Sequence, residues 1–120
     1  MAKTWKDNDI SLDPLKDQTV AVIGYGIQGD AQANNMKDSG LNVIVGLKEG
    51  GKSWKKAEAD GHKVMSVADA TKQGDIIHIL LPDMIQGQVY KDEIGPNLSE
   101  GKALSFSHAA AIYWKWIEAP

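Results

Sequence analysis

The sequence has no cysteine, which excludes disulfides, thiolate nucleophiles and zinc–thiolate centres. Arginine is missing too. All 13 cationic side chains are lysine, so no fork-shaped guanidinium is available to grip a phosphate or carboxylate through two bonds. Nor is there an excess of positive charge: 16 acids outnumber the lysines and leave a net charge of −3. A nucleic-acid binder needs a concentrated basic face, so that class is set aside. Long apolar runs are also lacking. The longest, Ile76 to Leu81, is interrupted by His78 and is far too short to cross a bilayer. The first residues, Met-Ala-Lys-Thr-Trp-Lys-Asp, contain no apolar signal core. The expectation is a soluble cytoplasmic protein with neither nucleic-acid nor membrane partners.

What is present is ordinary globular composition, 42% hydrophobic and 24% charged over 120 residues. A chain of that length is one domain and buries roughly two-thirds of its unfolded surface. Residues 1–18 are polar, with a turn at Asp13-Pro14, and read as a lead-in arm to a domain spanning 19–120. Thr19 to Gly24 is a short β-branched run suited to a strand covered on both faces. A helix-permissive stretch follows from about Gln28 to Ser39, stopped by Gly40.

The alternation repeats along the chain. Strands are expected at 42–47, 63–65, 75–81 and 103–107, with helices at 52–60, from Ser66 to about Lys72, and from Asp83 to about Ile94. Ser66 and Asp69 have the spacing of a capping box, and Gly95-Pro96 is expected to end the last of these helices. Strands alternating with helices in this way mean parallel βαβ units. The fold class is therefore α/β, an open doubly wound Rossmann-like parallel sheet that stops after about five strands. The last twelve residues hold Ile112, Tyr113, Trp114, Trp116 and Ile117. That is a heavy apolar load for a terminus, so the expectation is a truncated domain.

Gly24-x-Gly26-x-x-Gly29 sits between the first strand and the first helix. In that context Gly24 permits the turn, Gly26 lets a pyrophosphate approach the backbone, and Gly29 lets helix and sheet pack closely. The pattern points to dinucleotide binding, against the alternative of a ligand-free glycine turn. An NAD site expects a carboxylate about 20 residues further on. Here that position is Gly46-Leu47, followed by Lys48-Glu49-Gly50-Gly51-Lys52-Ser53. Lysines and a hydroxyl on a glycine-rich loop suit a 2′-phosphate, which favours NADP; Glu49 argues the other way and keeps NAD open.

Five further residues stand out, Asp83, His108, His78, His62 and Asp30. Asp83 follows the fourth strand at the carboxyl edge where such sheets bind ligands, although it also suits a helix cap. His108 follows the fifth strand, and an imidazole there suits proton transfer or hydrogen bonding to a substrate oxygen. His78, inside a strand, reads as packed and structural, and His62, in a turn after Gly61, as exposed. Asp30 would repel a pyrophosphate, and the sequence offers no role for it.

Taken together, residues 19–29 (T-V-A-V-I-G-Y-G-I-Q-G), 38–47 (D-S-G-L-N-V-I-V-G-L), Lys52-Ser53-Trp54, Leu80 to Asp83 and Tyr90 to Leu98 closely resemble the N-terminal cofactor domain of ketol-acid reductoisomerases, from about Leu12 to Pro120. The resemblance implies conversion of 2-acetolactate or 2-aceto-2-hydroxybutyrate to a 2,3-dihydroxy acid. The reaction is magnesium-dependent alkyl migration followed by hydride transfer from NADPH, in branched-chain amino-acid biosynthesis. By motif position it implies a phosphate loop at Tyr25, Gly26, Ile27 and Gln28, a 2′-phosphate loop at Lys48, Gly51 and Ser53 (with Lys52 adjoining), adenosine-side contacts at Asp83, Met84, Ile85 and Gln86, and an active-site histidine at His108.

The chain departs from the family in three respects. Lys48 stands where Arg is frequent and Gly51 where Ser is common, which opens NADH use. Ala109-Ala110-Ala111-Ile112-Tyr113 replaces the usual Gly-Phe-Asn-Ile-His run. The magnesium-binding acids and the substrate pocket belong to a C-terminal helical domain that these residues do not include, so no metal ligand is expected here and the chain alone is expected to be inactive. The alternatives are a non-catalytic Rossmann scaffold, self-associating through the Trp114/Trp116 cluster, or another nicotinamide dehydrogenase of the same fold.

Overall fold

In the computed structural model, which describes residues 2–120, five parallel strands form one sheet in the order β3-β2-β1-β4-β5. They are β1 (Thr19–Ile23), β2 (Asn42–Gly46), β3 (Lys63–Met65), β4 (Ile76–Ile79) and β5 (Ala103–Phe106). Between and after them lie α1 (Ile27–Asp38), α2 (Lys52–Ala59), α3 (Val67–Gln73), α4 (Asp83–Val89) and α5 (Ala110–Tyr113). Strand order reverses between β1 and β4, whose register pairs Val22 with His78 and Ile23 with Ile79. A crevice opens at such a reversal because the adjoining crossovers leave on opposite faces.

Alternation of side chains along β1 divides the core in two. Val20 and Val22 pack with Ala33, Val45 and Ala57 on the face covered by α1 and α2. Ala21 and Ile23 pack with Ile77, Ile79, Val67, Ala70 and Ile94 on the other. β1 and the end of β2 are buried on both sides, hence their nearly unbroken apolar sequences.

Turn chemistry sets the element boundaries. Gly24, Gly40 and Gly61 have φ of 101°, 85° and 86°, a region that side chains with a Cβ rarely adopt. Ser66 Oγ accepts the Asp69 N–H at 3.1 Å and caps α3. The helix expected over 83–94 is not uniform: α4 ends at Val89, a wider π turn takes Tyr90–Ile94, and a 3-10 turn continues through Gly95–Asn97. The apolar tail folds back: Ala111 and Ile117 are buried, whereas Tyr113 and Trp114 are exposed.

Candidate functional site

A crevice of about 540 Å³ lies at the carboxyl edge of the sheet, at the β1/β4 reversal. Its floor and first wall are Gly24, Tyr25, Gly26, Ile27 and Gln28; the second wall is Leu47, Lys48, Gly51, Lys52 and Ser53; the third is Leu80, Leu81 and Pro82. Each wall is the start of a βα connection, so the parallel sheet itself brings the three together.

The glycines divide the work on the first wall. At Gly24 a Cβ would stand 2.9 Å from the Leu80 carbonyl oxygen, so β1 and β4 could not close around a larger residue. At Gly29, buried in α1, it would run into the Gly24 carbonyl. At Gly26 it would meet nothing within 4 Å. Packing therefore does not demand glycine at 26, and what its missing side chain leaves is open crevice beside the start of α1.

That start is an anion site by construction. α1 is N-capped by Gly26 and α2 by Gly51, and neither has a side-chain acceptor on its first N–H groups. Unpaired N–H groups and the helix dipole favour negative charge at each end. α3, whose first residues do not line the crevice, has its side-chain cap from Ser66. Three uncapped helix starts face one crevice, those of α1, α2 and α4 (behind Pro82). The one at α2 stands beside Lys48 and Lys52, which with the glycine loop at α1 suits a ligand with two separate phosphate groups. The residues present thus fit a dinucleotide bearing an additional phosphate.

Of the expected site residues, Gly24 to Gln28, Lys48, Gly51, Lys52 and Ser53 come together on these walls. Asp83, Met84, Ile85 and Gln86 lie one step beyond, because α4 begins at Asp83 and turns their side chains away. Met84 is 90% exposed, and Asp83 and Met84 line a separate hollow with Trp116. Gln86 is buried and donates from Nε2 to the Leu81 carbonyl at 2.7 Å, so it shapes the wall from behind. The sequence reading passed over Leu47, Leu80, Leu81 and Pro82 as wall residues. The signal for them was available, since they follow directly on β2 and β4 at the edge where such sheets bind.

His108 is exposed just past β5, and its Nδ1 accepts the Ala110 N–H at 3.0 Å. In the neutral ring the proton is therefore on Nε2, the nitrogen left for a ligand. Its neighbour Ser107 accepts from Gln32 Nε2 (3.1 Å), which also donates to Gln28 Oε1 (3.2 Å) on the crevice wall. His78 completes the chain: Nε2–H donates to Gln32 Oε1 at 2.7 Å and Nδ1 accepts from Ser105 at 2.9 Å. It is packed and hydrogen-bonded, as expected of a strand histidine, and burial holds its pKa below the ordinary value.

His62 departs from expectation. It is 6% exposed. Gly61 reverses the chain and carries the ring beneath Tyr25, edge to face at 5.6 Å, where Nε2–H donates to Asn34 Oδ1 at 2.9 Å. Asp30 also finds its partners here, pairing with Lys56 and accepting from Asn34 Nδ2. The Lys56 ammonium holds the Asp30 carboxyl below the usual carboxylate range. Its charge is thereby turned from the phosphate loop toward α2.

A family model described as acetohydroxy acid isomeroreductase, NADPH-binding domain, matches residues 14–120. The chain belongs to this family. Over all 120 residues it is 93% identical to a ketol-acid reductoisomerase (NADP(+)) of Nitrosopumilus maritimus and 78% identical to one of Cenarchaeum symbiosum. It spans 36% of the length of each of those relatives. Among solved structures, an NADH-preferring ketol-acid reductoisomerase from an uncultured archean matches with a TM-score of 0.89 at 49% identity, covering 95% of this chain and 36% of that one. Acetohydroxy acid isomeroreductase domains thus include likenesses named for either nicotinamide cofactor. Among the described residues, no group of three or more His, Asp or Glu is placed to hold a metal ion, so no metal chemistry is assigned to this chain. No helix among them is long and apolar enough to cross a membrane.

Proposed function

We propose that this chain is the dinucleotide-binding part of a cytoplasmic ketol-acid reductoisomerase and that its crevice takes NADP(H). The observation behind this reading is the pair of uncapped helix starts, α1 and α2, on one crevice beside Lys48 and Lys52. Gly24 to Gln28 would meet the pyrophosphate through backbone N–H groups. Lys48, Lys52, Ser53 and the Gly51 turn would hold the 2′-phosphate, with Asp83 to Gln86 framing the rim past Pro82. When bound, NADPH supplies a hydride. His108, with Nε2–H available, would donate a hydrogen bond to an oxygen of the acetohydroxy acid. In the whole enzyme the reaction is magnesium-dependent alkyl migration and reduction of 2-acetolactate or 2-aceto-2-hydroxybutyrate. The metal ligands and substrate pocket are assigned to the part of the relatives' length that this chain does not span. The chain alone is accordingly a binder without turnover.

Calorimetric titration with NADPH and NADH in parallel, without substrate or metal, tests this. Saturable binding with NADPH tighter is the expected result. Comparable affinities would mean that lysine and glycine at 48 and 51 relax the choice, and binding of neither would overturn the reading. The exposed Tyr113, Trp114 and Trp116 support a second, separate reading, self-association through the tail. Light scattering over a concentration series would show it as a rising mass.

A further inference from the structure

The crevice reading uses the main chain of Tyr25 and leaves its side chain unexplained. That side chain does not enter the crevice. It is buried at 4% exposure, and its hydroxyl donates to Asp60 Oδ2 at 2.7 Å while accepting from Asn34 Nδ2 at 3.0 Å. Burial and the Asp60 carboxylate push the phenol's pKa up, so the hydroxyl stays protonated and remains a donor.

Asp60 is the residue that ends α2. This helix is only eight residues long, with Ala57 as its one buried residue. Apart from Ala57, Trp54 is the large apolar side chain it packs against the core, and polar contacts at its far end add to that hold. Those contacts are the Tyr25–Asp60 bond, the Lys56–Asp30 pair, and the Lys56 ammonium 5.1 Å above the Tyr25 ring. These three reach back to the phosphate loop or the first turn of α1, while Lys37 in the last turn of α1 also donates to the Asp60 and Gly61 carbonyls. The other end of α2, about 12 Å away at 1.5 Å per residue, begins with Lys52 and Ser53 on the crevice wall.

We propose that Tyr25 is a positioning and specificity-determining residue. By bonding Asp60, its side chain fixes the placement of α2, and with it the distance between the Gly24–Gln28 loop and the Lys52–Ser53 corner. This rests on the crevice being the dinucleotide site. A ligand with a phosphate at both places feels that distance, whereas a ligand lacking the 2′-phosphate engages only the loop. Loss of the hydroxyl therefore acts chiefly on the first kind.

The test is the pair of dissociation constants for NADPH and NADH, measured on the 120-residue chain and on Tyr25→Phe. One net hydrogen bond to a charged group predicts about a tenfold loss for NADPH, with NADH changed by no more than about twofold. Asp60→Ala, a change at an exposed position, should reproduce this, and Asp60→Asn, which keeps an acceptor, should largely restore the preference. The double variant Tyr25→Phe/Asp60→Ala should be no worse than either single change. Equal weakening of both cofactors, or a lowered melting temperature with the ratio untouched, would make Tyr25 merely structural and overturn the proposal. If Tyr25→Phe does not fold, the Asp60 pair decides the matter alone. An unsubstituted chain that binds both cofactors equally overturns the specificity role but keeps the crevice; one that binds neither overturns both.

Discussion

At the residue scale, two glycines of one motif should fail in opposite ways. Gly26→Ala adds a methyl group to open space at an ordinary φ of −77°, so thermal stability should stay within about 0.5 kcal/mol. NADPH affinity should nevertheless fall by about tenfold or more, because the methyl keeps the pyrophosphate from the N–H groups. Gly29→Ala forces α1 off the Gly24 carbonyl and should cost about 1–3 kcal/mol by overpacking, read as a lower midpoint in urea. Lys48→Ala would remove the proposed charge-assisted contact and should weaken NADPH by about tenfold, with NADH nearly unchanged in the same calorimeter. The motif itself was legible because glycine spacing is a direct record of backbone approach. Asp30 and His62 were not, because their partners Lys56 and Asn34 lie 26 and 28 residues away in sequence and nothing local announces them.

Elements were the most legible level. All five strands were expected to within a residue or two of their observed bounds; β1 and β2 are the plainest, since strands buried on both faces permit few other compositions. The wide turn at Tyr90–Ile94 escaped because its residues are good helix formers. Tertiary packing decides the geometry there, with Tyr90 and Ile94 both drawn into the core. Of the five α-helices among the described residues, only α3 is capped by the side chain of its N-cap residue. Ser66→Ala removes the α3 cap and should lower stability by about 1 kcal/mol with cofactor affinity unaltered, a combination that denaturation and calorimetry together would show. By contrast, α1 and α2 already lack side-chain caps. Ligand phosphate would supply that function, so NADPH should raise the melting temperature more than NADH does.

For the whole molecule, buried His62 and half-buried His78 give stability a pH dependence. Burial lowers the pKa of both His62 and His78 in the folded state. For His62 the reason is visible: Nδ1 is buried without a partner, so a proton added there would find no acceptor. Unfolded histidine takes its proton near 6.5. Below that pH the unfolded chain binds more protons than the folded one, and stability falls until the lowered folded values are passed. Their contribution is complete above about pH 6.5, and urea midpoints should decline on acidification through that value. His62→Gln should flatten part of the slope. The strand order β3-β2-β1-β4-β5 has an inherited consequence. Both proposed phosphate contacts fall in one unbroken stretch of chain, Gly24 to Ser53, and so does Tyr25; only Asp60, a few residues on, lies outside. On that proposal, cofactor preference is encoded as a near-contiguous cassette. Among relatives such as the NADH-preferring enzyme, a single exchange of that segment through Asp60 could pass the trait from one lineage to another, leaving the rest of the gene untouched.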